Sequence, residues 1–345
     1  MGRALVALGL AAVLPAPSRG AEASPDLRVL GFYDVDFYAT DAEGGDATSG
    51  FRQGQLVFHA ISALSERATF FGEVSLTPGS HEFRVEVERA IFKYDFSDLV
   101  KLSAGRYHTP INWWNAAFHH GLWLQTTIAR PEMTKFGGDF IPVHFVGVLG
   151  QGGVDAPGFS VDYEAGLGNG RGEVESRGGD AGDVNNHRAW LVHLFARPDA
   201  LYELRAGGAY YRDQVGFESE PGVREEILSG YVVFAKETPE LIFEAAGTDH
   251  KEADGGSYES FAYYVQAAYR LPWCHGLLKP YGRFEEMDLA AGDPVFAGIP
   301  DLRRYILGVR ADVVSFAAIK LEGRRDREGG GDYVNGFHAQ LSLVF

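Results

Sequence analysis

The 345-residue sequence contains a single cysteine, Cys274, so no intrachain disulfide can form. Beyond its first two dozen residues it has no long apolar run. A spanning helix needs about 20 consecutive apolar residues, and a helical membrane protein is excluded on that ground. Concentrated positive charge is lacking too: 31 Lys and Arg stand against 47 Asp and Glu, net −16, with no basic or acidic tail. Nucleic-acid binding needs a concentrated basic face and is not expected. Catalytic signatures are absent, with no Gly-x-Ser-x-Gly, His-Glu-x-x-His or Gly-x-x-x-x-Gly-Lys. No convincing Ser–His pair on one face emerges either, so neither an enzyme nor a cofactor is expected. His119-His120 with nearby His108 does not read as a metal site. Adjacent residues on a strand point to opposite faces, and no Cys or carboxylate sits beside them at ligand spacing.

What the chain does have is period-2 alternation. Phe159, Val161, Tyr163, Ala165 and Leu167 alternate with Ser160, Asp162, Glu164 and Gly166. Tyr305, Leu307, Val309 and Ala311 alternate with Arg304, Gly308, Arg310 and Asp312. In 82–88 the face Glu82, Arg84, Glu86, Glu88 opposes Phe83, Val85, Val87, and the pattern slips near Arg89, as at a β-bulge. Aromatics at 13% and 44 Gly suit strands that are apolar on one face and polar on the other. The predicted strands run about 9–13 residues, longer than the usual soluble strand and near the length that crosses a bilayer at a tilt.

About sixteen strands are predicted, from 27–38 to 333–345, including 141–150 and 158–168. Short connections alternate with long ones such as 39–50, 109–140, 169–186 and 288–302. That is the pattern of an antiparallel transmembrane β-barrel with short periplasmic turns and long outer loops. The alternation fails at 78–81, short for a loop, and at 151–157, long for a turn, so fourteen or eighteen strands stay open.

Both ends fit an exported barrel. Arg3, the apolar run Ala4 to Leu14 and the small-x-small site Ala21-Glu22-Ala23 predict a signal peptide over 1–23. The barrel then occupies 24–345. Phe337, Leu341, Leu343 and Phe345 lie on one face of the last strand and read as a signal for the outer-membrane assembly machinery. The expected surroundings are the Gram-negative outer membrane, a lipid bilayer with lipopolysaccharide.

The third outer connection, about 109–140, is too apolar for an exposed loop. It carries Trp113, Trp114 and Trp123, and apolar surface in water is costly. It is expected to fold into the lumen. Arg106, His108, His119, His120, Arg130 and Lys135 with the three Trp are the candidate pore constriction, with Glu132 and Asp139 opposed. The other reading is a plug that braces the wall. Candidate lumen-wall groups include Arg84, Glu86, Glu88, Asp162, Glu164, Arg205, Arg283, Arg304 and Arg310, joined on the same faces by Glu73, Glu244, Glu285, Lys320 and Glu322. They read either as cross-strand ion pairs or as a charge-lined path.

Arg89-Ala90-Ile91-Phe92-Lys93-Tyr94, followed by Leu102-Ser103-Ala104-Gly105-Arg106-Tyr107-His108-Thr109-Pro110, resembles the phosphate-selective porin O and P superfamily, over about 67–110. The resemblance implies a sixteen-stranded homotrimeric diffusion channel with an inward-folded third loop. It does not carry over the anion specificity, which in that family relies on runs of Arg and Lys in the constriction; here the loop sets Arg130 and Lys135 beside three Trp. The function expected is passive diffusion of ions or small hydrophilic solutes through a water-filled barrel. The alternatives are a plugged or structural barrel, or a channel for hydrophobic or aromatic solutes.

Overall fold

The computed structural model describes residues 26–41, 48–79, 81–118, 120–135, 140–171, 182–183, 185–201, 203–216 and 222–345. The predicted signal peptide, His119 and Asp139 lie outside the described residues.

β1 (Asp26–Thr40) pairs antiparallel with β2 (Thr48–Ala63) on one side and β16 (Val334–Val344) on the other, closing the sheet. Between them run β3 (Ala68–Pro78), β4 (Phe83–Asp95), β5 (Lys101–His108), β6 (His144–Ala156), β7 (Phe159–Asn169) and β8 (Ala189–Pro198). β9 (Leu204–Val215), β10 (Val223–Ala235), β11 (Glu240–Lys251), β12 (Ser257–Ala268), β13 (Leu278–Asp288), β14 (Leu302–Val314) and β15 (Ala317–Glu328) complete a closed antiparallel barrel in chain order. Among the described residues the strand number is sixteen. The stretch 151–156 is not a turn but the second half of β6. Gly152 and Gly153 stay in the ladder opposite Tyr163 and Asp162, leaving a turn of only 157–158. The predicted start of β6 at 141 is also corrected to His144, because Pro142 has no N–H to give a ladder and Ile141–Val143 close the third loop instead.

In such a topology the start of β1 and the end of β16 lie at one end, with the turns 64–67, 96–100, 157–158, 236–239 and 315–316. The third loop, 109–143 and hereafter L3, springs from the other end. The slip foreseen near Arg89 is a bulge. Glu73 pairs with Arg89 and Val74 with Val87, so Glu88 is the extra residue and is free to aim inward.

The alternation sets apolar side chains outward. Trp190, Val192 and Leu194 on β8 are exposed while Leu191 and His193 between them are buried. Val85, Leu228, Phe243, Phe261 and Leu307 continue this exposed apolar surface around the barrel. A patch of that extent is costly in water and matches hydrocarbon.

The apolar core sits inside the barrel. Ile111, Trp114, Met133, Phe140 and Ile141 of L3 pack on Leu149, Leu191, Tyr211, Ile227, Val233, Ile242 and Tyr264 from β6 to β12. Where they receive L3 those strands are therefore apolar on both faces, as in Trp190-Leu191-Val192 and Leu241-Ile242-Phe243.

Candidate functional site: the inserted third loop

L3 is pinched where it enters the lumen. The Thr109 N–H donates to the Val143 carbonyl at 2.9 Å, and Asn115 Nδ2 donates to the carbonyls of Thr109 and Val143 at 2.8 and 3.2 Å. Arg130 ties the returning limb to this neck, donating to Thr134 O at 2.8 Å and Asn115 Oδ1 at 3.2 Å. A five-residue helix, Trp113–Ala117, follows at once and points its N-terminus at the far wall. There the Trp114 N–H meets Glu244 of β11 at 2.9 Å, and Tyr264 of β12 holds the other carboxylate oxygen at 2.6 Å.

The chain then crosses back. The His120 N–H donates to Glu73 of β3, its Nδ1 meets Gln55 of β2 at 2.6 Å and its Nε2 meets Glu88 of β4 at 3.0 Å. His59 of β2, Arg89 of β4 and His144 of β6 surround the same two carboxylates at 3.2, 2.5 and 3.3 Å. Gly121 reverses the chain at φ 85°, over Phe32 of β1. A Cβ there would approach the Phe32 ring to 3.0 Å, so both the conformation and the space call for glycine.

From Gly121 the loop runs along β15, β14 and β13 and is held by its main chain. Lys320 donates to the carbonyls of Leu122 (2.5 Å) and Thr127 (3.0 Å). Arg310 donates to those of Trp123 and Gln125, and Arg283 to those of Ala129 and Arg130 and to Thr127 Oγ1. The loop N–H groups of Ile128 and Glu132 donate to Glu322 and Glu285, both at 2.5 Å. Buried main-chain groups must find partners. In a lumen with no strand edge to offer, ionised wall side chains supply them. Arg304 of β14 completes the seam by pairing with Glu132 at 2.7 Å. Burial works against the Glu132 carboxylate, but Arg304 and Lys135 outweigh it and hold it below the ordinary carboxylate range.

The loop is therefore bonded to opposing walls, β2–β4 on one side and β11–β15 on the other. On its returning limb, Phe140 stacks on Phe296 of the 289–301 loop with ring centroids 5.5 Å apart. Buried Arg171 pairs with Glu225 at 2.8 Å, and His250 bridges Glu225 and Asp293 at 3.0 and 2.7 Å. This second ionic cluster ties two further loop segments to β10 and β11.

The candidate constriction residues fall in different places. Trp114 is buried in the core and His120 lies between Gln55 and Glu88. Arg106 points to Glu88 and to the carbonyls of Val87 and Glu88. His108 packs beside His144, with ring centroids 5.6 Å apart. Trp113 and Trp123 are half-buried, Arg130 is buried and Lys135 is exposed.

Among the candidate wall residues, Arg283, Arg304 and Arg310 serve L3, and Glu88 belongs to the histidine-rich anchor. Arg84 pairs with Glu86 at 2.9 Å and Asp162 with Arg197 at 2.9 Å. Glu164 meets His193 at 2.8 Å, and Arg205 stacks over Phe195 at 4.6 Å. Phe337, Leu341 and Phe345 are exposed on the outer face, and Phe345 extends the ladder through paired main-chain bonds to Gly31.

Sequence reasoning placed these charges on the inward face but missed their use as partners of a loop backbone. It also missed Gln55, His59 and His144, and the cluster of Arg171, Glu225, His250 and Asp293. Counting the β11 alternation on from Glu244 would have put His250 inside.

The closed sixteen-stranded antiparallel barrel is porin-like in fold. The structure is similar to the anion-selective porin from Comamonas acidovorans, with TM-score 0.69, 13% identity and coverage of 93% of this chain and 100% of that one. It is also similar to OmpT of Vibrio cholerae (0.61, 15% identity, 94% and 99% covered). The outer membrane channel DcaP of Acinetobacter baumannii is a further match (0.62, 11% identity, 94% and 99% covered). At these identities the likeness is one of fold. No protein-family model and no curated protein matches the sequence.

Proposed function

We propose that the protein is an outer-membrane channel for passive diffusion of ions or small hydrophilic solutes, with L3 as its constriction. The observation that carries this reading is a closed barrel whose outward face is apolar, whose lumen is lined by charged groups, and which takes its longest loop inside. A barrel of about sixteen strands is wide enough for an aqueous path. The fold neighbours that are porins and outer-membrane channels support it. Stepwise conductance of the folded protein in planar bilayers is expected; silence at every voltage and salt concentration counts against it. Export by the 1–23 segment and recognition of Phe337, Leu341, Leu343 and Phe345 by the assembly machinery belong to the same reading. Kinship with the phosphate-selective porins rests on the stretch ending Gly105-Arg106-Tyr107-His108-Thr109-Pro110. Chemical cross-linking in detergent tests the trimer that kinship implies.

A second reading is favoured by the bonding of L3 to both walls and by its apolar packing: the loop closes the lumen as a plug. Deletion of 111–129 separates the two. A plug removed raises conductance severalfold, whereas a constriction removed alters selectivity with a smaller gain.

A further inference from the structure

The underside of L3, at the end of the barrel where the short turns lie, roofs a cavity of about 480 Å3. That volume lies within the roughly 300–1,000 Å3 of small-molecule sites. Its two surfaces differ in kind. The roof is apolar and incompletely covered: Trp113 and Trp123 are half-buried and Leu124 is 42% exposed. Trp123 is held in place, since Arg310 donates to its carbonyl at 2.7 Å and lies 5.5 Å from its ring centroid. Apolar surface left facing water is costly and is relieved by an apolar ligand.

The opposite surface carries both signs at close quarters. Arg270 pairs with Glu237 at 2.5 Å and Asp312 at 2.6 Å, while Lys279 meets Glu237 at 3.2 Å and Glu240 at 2.8 Å. Glu237 is the most accessible of these, its side chain 57% exposed, and Arg270 still shows 20%. A ligand of one sign would be repelled by about as many groups as attract it. A ligand with an ammonium and a carboxylate on one carbon meets both, the ammonium at Glu237 and the carboxylate at Arg270, while a ring reaches the Trp123 face.

We propose that this cavity is a binding site for an aromatic zwitterion of the size of a free aromatic amino acid. The inference goes beyond diffusion and does not require that the barrel conduct.

Calorimetric titration of the folded, detergent-solubilised protein with L-phenylalanine tests it. Saturable binding is expected, at least tenfold tighter than for 3-phenylpropionate, phenethylamine or alanine, which lack the amine, the carboxylate and the ring. Glu237→Gln and, separately, Leu124→Gln each weaken it by tenfold or more. Both residues are exposed, and retention of the barrel's heat-modifiable gel mobility shows that the variants fold. Absence of saturable binding, or binding of any of these three analogues as tight as that of L-phenylalanine, overturns the proposal. Conductance is recorded separately: binding without conductance defeats the diffusion reading alone, and conductance without binding defeats the zwitterion site alone.

Discussion

Arg283 gives the sharpest test of how L3 is held. The residue is 3% exposed, and its guanidinium donates to the carbonyls of Ala129 and Arg130 and to Thr127 Oγ1 and pairs with Glu285 at 2.7 Å. Arg283→Met keeps most of the stem and removes all of these bonds. A hydrogen bond to a charged group contributes about 1.5–3 kcal/mol. The three loop acceptors are served by one side chain and will not add fully. Two such bonds give about 3–6 kcal/mol against the docked loop, a factor of roughly 10²–10⁴ in its favour lost. Glu285, which accepts the Glu132 N–H, is left without its closest cation and loosens that contact too. Single-channel recording is the assay. The variant should show more open-channel noise and a higher or more variable open level than the parent. Arg205→Met is the control, because Arg205 stacks on Phe195 of the wall; it should alter ion selectivity without adding noise. An Arg283→Met channel that folds normally and records identically to the parent would refute the view that wall cations hold the loop by its carbonyls.

Further outcomes follow from the same contacts. Gly121→Val places a branched side chain at φ 85° against the Phe32 ring and should release the L3 reversal, read as faster proteolysis within 118–128 in the folded protein. Trp114→Ala empties the centre of the lumen core and should cost about 3–5 kcal/mol, read as a lower denaturant midpoint in detergent. His120→Ala removes the contacts of its ring with Gln55 and Glu88 and should loosen the near-wall anchor, read as a rise in current noise; a record identical to the parent would count against it. Brominated lipid should quench Trp190, exposed on the outer face, and leave Trp114 emitting, as measured with single-Trp variants.

How much of this was legible beforehand follows from what alternation reports. Period 2 identifies a strand and its two faces, and it located the strands to within about three residues except at the end of β6, where Gly152 and Gly153 interrupt the pattern and the strand runs on to Ala156. It is interrupted, without displacing the strand, where both faces are buried in something. Trp190-Leu191-Val192 and Leu241-Ile242-Phe243 have lipid-facing residues outside and L3 inside, so the apolar triplet is the trace of the loop's docking site on the wall. Such triplets on β8, β10 and β11 could have shown which wall receives L3. The slip near Arg89 was visible because a bulge changes the phase of the pattern, but not its purpose, which is to turn Glu88 toward His120.

The inward charges were the harder inference. A sequence places Arg283, Arg310, Lys320, Glu244 and Glu322 on the lumen face, where water, another side chain or a main-chain group could satisfy each of them. The deciding fact lies elsewhere in the chain: a loop of more than thirty residues inside a barrel brings many main-chain groups and no strand edge to meet them. Residues with short side chains cannot reach across to that backbone, and neutral ones would bond it less strongly. A barrel that inserts a long aromatic loop therefore needs ionised wall residues of both signs, cations for the loop carbonyls and carboxylates for its N–H groups. The near balance of signs on this wall is thus a consequence of holding L3, so the mixture says little about ion preference. Selectivity is better sought in the charges that L3 leaves accessible, Asp162 and Arg197 below the loop and Arg84 with Glu86 near the outer rim. Charge reversal at Asp162 should therefore shift the reversal potential in a salt gradient more than reversal at Glu322, whose loss should act first on the loop.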